Sequence, residues 1–217
     1  MEAGEVRLRR GHQGHETAIY SEARMSTELC DFADAMELGD LERAAGAVDR
    51  ARTKDAGGFE VLSAAATLAL ITQRFAEAAE AFEALLPGGP NDQHRSLIEN
   101  NLAWSYFCLR DDRHRPRADE LSQRAFDANP QQPWAKGSRG AVLFWMGNLE
   151  AAERLLEDAY FSNSAPSSRA INAACLALLA LARSEAPAAQ RWAALAPAKL
   201  THLRVEVDQL LTRSGAP

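Results

Sequence analysis

His12 and His15 stand three residues apart, with Glu16 directly after them. Imidazoles at helical spacing can share a metal ion, and a neighbouring carboxylate can act as its base. The run is not the H-E-x-x-H of a zinc-protease helix, because position 19 is Ile and the flanking residues read as a polar tail. His94, His114 and His202 are isolated, and Cys30, Cys108 and Cys175 lie far apart, with no pair at metal-ligand spacing. An odd, dispersed set of cysteines fits reduced thiols in a cytoplasmic protein rather than a disulfide framework. The glycines at 57–58 and 88–89 sit in turn-forming stretches and build no phosphate loop. No serine has a histidine and an acid in a recognisable arrangement with it. The expectation is therefore no catalytic residue, no metal, no cofactor and no enzyme activity.

Two groups of residues could still recognise a ligand. Arg110, Arg113, His114, Arg115 and Arg117 crowd one short stretch that also holds Asp111, Asp112 and Asp119. They read either as a solvated turn whose charges cancel or as a contact for a phosphate or an acidic partner. The second group is aromatic: Trp104, Phe107, Phe144 and Trp145 fall inside apolar helical runs. They could pack between elements or stand exposed as binding anchors.

The elements that position these residues are helices. The chain has 217 residues, 47% of them hydrophobic, and alanine and leucine supply much of that share. Such residues lose little freedom in a helix, and the β-branched runs of strands are missing. Net charge is −6, which argues against a general nucleic-acid binder. Only Lys54, Lys136 and Lys199 among the 24 basic residues are lysine, a bias of GC-rich bacterial genomes. The apolar runs 62–71 and 173–182 are too short to cross a bilayer. The start of the chain has no apolar core of a secretory signal.

One pattern recurs. "GDLERAAGAVDRA" at 39–51 returns as "QRFAEAAEAFEAL" at 73–85, more loosely at 114–126, and as "GNLEAAERLLEDA" at 147–159. Ala44, Ala78, Ala118 and Ala152 align, at steps of 34, 40 and 34 residues. Small residues at such intervals let paired helices cross closely, and Ala66, Ala103 and Gly140 are placed to face them. Ala51, Leu85, Ala125 and Ala159 follow two turns on along the same stripe. The longer step is assigned to a longer turn at 110–117.

A period near 34 with two helices per unit resembles the tetratricopeptide-repeat family. Units are expected at 25–58, 59–92, 96–132 and 133–166, with a weaker fifth at 169–198. Leu200, Leu203, Val207, Leu210 and Leu211 mark one face of a capping helix. Residues 1–24 are expected to be a disordered tail, 25–213 the repeat domain and 214–217 a short tail. Phe32 stands at a small-residue position, and Arg139 where the family buries a leucine. Glu120, Glu153 or Asp158 could pair with Arg139.

The resemblance implies an all-α, right-handed solenoid of four to five stacked helical hairpins. It also implies that the first helix of each hairpin lines a concave groove. Its contact positions hold Met36, Asn100, Trp104, Phe107, Phe144 and Trp145. The lysine and asparagine clamp for a terminal carboxylate is absent, since Leu29 and Ala33 stand there. The function expected is a non-enzymatic module that binds an apolar or amphipathic peptide segment of another protein. The alternative is a regulatory or scaffolding part of a bacterial membrane-protease or signalling system, because residues of units three and four are similar to the repeat tails of such proteases.

Overall fold

A computed structural model describes residues 26–88, 91–199 and 201–213. The expected tail with His12, His15 and Glu16 lies outside these residues, as do Pro90, Leu200 and 214–217. Among the described residues there are eleven α-helices and no strand. They are α1 (Thr27–Leu38), α2 (Leu41–Lys54), α3 (Phe59–Ile71), α4 (Phe75–Leu85), α5 (Asp92–Leu109), α6 (Arg115–Ala128), α7 (Pro133–Trp145), α8 (Leu149–Ser162), α9 (Pro166–Ala182), α10 (Ala186–Ala194) and α11 (Leu203–Arg213). The chain divides between Ala125 and Phe126 into two compact units.

Local chemistry sets the helix ends. The side chains of Ser26, Asp40, Asn91 and Asn148 accept N–H groups in the first turns of α1, α2, α5 and α8. Pro133 and Pro166 open α7 and α9, where a missing N–H costs nothing. Gly39 and Gly147 take left-handed φ values of 70° and 84°, so α1 and α7 stop there and the chain reverses within two residues.

In the first unit, α1 pairs with α2 and α3 with α4, and α4 packs against α5. Leu29, Phe32, Ala35, Val48, Val61 and Leu68 share one buried cluster with Ala44, Ala47 and Ala51. Phe32 is thus core in spite of its register. The three alanines of α2 leave the room that its ring fills. The acidic face of α1 is tied across the hairpin: Asp31 takes both Arg43 and Arg50, and Glu28 takes Lys54 at 2.5 Å.

The aligned residues behave as the spacing predicts. Ala44, Ala66, Ala78, Ala103, Ala118 and Ala152 are all fully buried. The 40-residue step has two sources, not one. Ala103 to Ala118 spans 15 residues, where Ala66 to Ala78 spans 12. The other three extra residues lie before Ala103, where a 3₁₀ turn at Leu86–Gly88 precedes an 18-residue α5.

In the second unit, α7 pairs with α8, α8 packs on α9, and α9 pairs with α10. Gly140 marks the tightest crossing. A Cβ there would lie 2.8 Å from Leu156 Cγ and 3.2 Å from the Ala152 carbonyl oxygen. Lys136, nearly buried on α7, reaches Asp158 of α8 at 2.7 Å. Arg139 is buried too; of the carboxylates considered for it, Asp158 holds Lys136 and Glu153 holds Arg183 at 2.7 Å. The helix α11 covers α9 and α10 with Leu203 and Val207 buried, while Asp208, Gln209 and Thr212 face solvent. Arg204 donates to the carbonyls of Ala193 and, at 3.1 Å, Ala196, so a cation satisfies the open end of α10.

Gly140→Ala tests the crossing. Helix propensity alone would favour alanine by about 1 kcal/mol. The overlap with Leu156 and with the α8 backbone costs about 1–3 kcal/mol. A net loss is expected, read as a lower urea midpoint by far-UV circular dichroism.

Candidate protein-interaction surface

The first helices of the first unit carry the candidate residues. Met36 is half-buried on α1, packed against the cluster that includes Leu29 and Phe32. On α5, Trp104 is half-buried and its ring lies 5.1 Å from that of Phe107. Phe107 itself is fully buried. The Arg110 guanidinium sits 3.8 Å over the Phe107 ring, from a residue whose left-handed φ of 54° ends α5. Phe107 is therefore the support beneath Trp104 rather than a surface anchor.

Helices α3 and α5 also bury polar groups. Asn100 donates from Nδ2 to Asn101 Oδ1 at 3.3 Å. That leaves Asn100 Oδ1 and Asn101 Nδ2, one acceptor and one donor, without a partner among the described residues. On α3, which touches α5, Ser63 Oγ and Thr67 Oγ1 are in the same condition. Burying such atoms unpaired costs about 1–3 kcal/mol each. Sites where this is tolerated call for an explanation. Asn100 was legible in the sequence. The sequence signal for the α3 pair is that Ser63 and Thr67 are the two polar residues, four apart, within the otherwise apolar run 61–71.

The basic stretch between α5 and α6 resolves as a turn that neutralises itself. Arg113 holds Asp111 through both carboxylate oxygens, at 3.0 and 2.6 Å. Arg115 holds Asp112 at 2.5 Å, and Arg117 pairs with Glu120 at 2.9 Å and Glu83 at 3.6 Å. Arg124 bridges Glu120 and the buried Glu99, at 2.6 and 3.0 Å. Tyr106 donates to Glu83 at 2.8 Å, and its ring stacks on His114 with centroids 4.3 Å apart. Burial, then the hydrogen bond to Glu83, pushes the Tyr106 phenol well above its ordinary range. Arg113, Arg115 and Arg117 are occupied by the chain's own carboxylates, which favours the self-neutralising turn over the phosphate contact.

In the second unit, Phe144 and Trp145 are half-buried at the end of α7, directly before the Gly147 reversal. Among the described residues no group of three or more His, Cys, Asp or Glu is placed to hold a metal ion. No helix among them is long and apolar enough to cross a membrane.

No protein-family model matches the sequence, and no curated protein matches it. Solved structures do match. The chain is similar to TTC0263, a thermophilic TPR protein of Thermus thermophilus, with a TM-score of 0.62 and 21% identity over 85% of this chain and 97% of that one. It is also similar to the MamA RS-1 ArsTM double mutant, with a TM-score of 0.52 and 13% identity over 86% of this chain and 99% of that one. The fold is that of the tetratricopeptide-repeat proteins, all-α and built from stacked helical hairpins.

Two outcomes follow. Thr67→Val keeps shape and removes a buried hydroxyl whose oxygen lacks a partner, so the free protein should gain up to about 1 kcal/mol, measured by urea unfolding. Asp111, held by Arg113, titrates at about 2, below the ordinary carboxylate value. With a lowered folded pKa, its contribution is present above about pH 4 and lost as pH falls through about 2. Carboxyl ¹³C NMR should show that midpoint, and Arg113→Ala should return it to the ordinary range.

Proposed function

We propose that the chain is a non-catalytic protein-interaction module, which takes an apolar or amphipathic peptide segment on the first helices of its hairpins. The observation that supports this reading is Trp104, whose half-buried indole stays partly open to solvent on α5, the first helix of its hairpin. An indole supplies rigid apolar contact area. Met36 adds a polarizable side chain within the same unit. In the second unit, Phe144 and Trp145 offer apolar contacts of the same kind on α7. Leu29 is buried where a terminal-carboxylate clamp would need a polar side chain, so the segment is bound along its length and not by its end. The net charge of −6 disfavours a nucleic-acid strand as the occupant.

The test is affinity purification from the native host with the unaltered chain and with the Trp104→Ala plus Trp145→Ala variant. The reading expects a partner that the variant loses while its helical circular-dichroism signal stays intact. Unfolding of the variant would make both indoles core residues, and retention of the partner would place binding elsewhere; either result ends the reading.

A further inference from the structure

A second surface lies on the other helices of the second unit. Phe161, the last residue but one of α8, is 74% exposed, an unusual state for a phenylalanine. It does not stand alone. Its ring meets that of Tyr160 edge-on at 5.1 Å, and the buried Tyr160 meets Trp192 of α10 edge-on at 5.4 Å. Leu195, one turn beyond Trp192, is 48% exposed. Three rings and a leucine thus run from the end of α8 to the end of α10, with apolar surface open to solvent at both ends.

Two arginines without a carboxylate partner among the described residues border this run. Arg169, in the first turn of α9, donates to the Tyr160 hydroxyl at 2.9 Å and lies 4.6 Å over its ring. Arg191 shares a face of α10 with Leu195, four residues on. Among the described residues no carboxylate pairs with either arginine, whereas nearly all the arginines of the turn between α5 and α6 hold one. A cation in the first turn of a helix also opposes the macrodipole, and α9 has no side-chain cap there. An incoming carboxylate would relieve both. Glu157 and Asp158, one turn before Phe161 on α8, are the acidic neighbours, Asp158 holding Lys136, and they confine the anionic contacts to the α9 and α10 side.

We infer that Phe161, Trp192 and Leu195, flanked by Arg169 and Arg191, form a docking surface for an acidic segment of another protein that also carries aromatic or aliphatic side chains. The rings provide the desolvated centre, and the arginines read the carboxylates at the rim. The surface stands on α8, α9 and α10, apart from Phe144 and Trp145 on α7, and it does not depend on how those two are used.

The test is selection of random short peptides displayed on phage against the full chain, followed by fluorescence anisotropy of the enriched peptides. Enriched sequences should be net acidic with aromatic or aliphatic residues. Their affinity should fall about tenfold in Phe161→Ala and in Arg191→Glu, and also as salt rises. Both substituted residues are exposed, so neither melting temperature should move, and Leu38→Ala, at an exposed apolar residue of α1 outside this surface, should bind as the unaltered chain does. Neutral or basic peptides, an empty selection, or indifference to Phe161→Ala would overturn the proposal. So would a dimer in sedimentation that Phe161→Ala dissociates, or binding of oligo-dT or phosphatidylserine vesicles that the same change abolishes.

Discussion

Helix α7 comes so close to α8 that a single added methyl at Gly140 would overlap Leu156 and press on the Ala152 carbonyl. The same closeness recurs where Ala66, Ala78, Ala103 and Ala118 are buried to the last atom. Small side chains at the crossings fix the geometry of each hairpin. That geometry decides which residues the first helices leave on their outer faces. A hairpin cannot enclose its own apolar stripe, so each is stable only against a neighbour or a cap. Helix α11 fills the second role, with Leu203 and Val207 turned inward and Arg204 closing the carbonyls of α10.

The two kinds of polar group in this chain are treated in opposite ways. On the turn between α5 and α6 and along α6, most arginines are matched by the chain itself, from Arg113 with Asp111 to Arg124 with Glu120 and Glu99. Exposed pairs of this sort add little to stability, but they remove charge that could attract a ligand. On α3 and α5, Ser63, Thr67, Asn100 and Asn101 are buried with hydrogen-bonding capacity left over. Stability alone would favour valine or leucine there. Keeping the polar atoms gives up some stability.

Much of the fold was legible in the sequence because its constraint is periodic and local. The recurring alanines, the Gly147-Asn148 reversal and the apolar face of α11 each announce themselves within a few residues. What escaped has a different physical origin. Phe32 is buried because α2 opposite it is lined with alanine, a fact of pairing and not of register. Half of the extra length in the third hairpin hides before Ala103, since a lengthened helix looks like any other apolar run. Phe107 and Trp104 share one helical face, yet one is core and the other only half-buried, a difference that depends on the neighbouring helices. The contact of Tyr160 with Trp192 joins residues 32 positions apart on different helices, and no spacing rule reaches it.

The claim on which the rest stands is that crossing positions must be small while neighbouring positions need not be. Ala78 and Ala76 separate the two on a single helix, since Ala78 is fully buried and Ala76 is exposed. Equilibrium urea unfolding of Ala78→Leu and Ala76→Leu should differ sharply. The first should lose about 1–3 kcal/mol or more through overpacking, and the second should stay within about 0.5 kcal/mol of the unaltered chain. Equal, small losses at both positions would contradict the account.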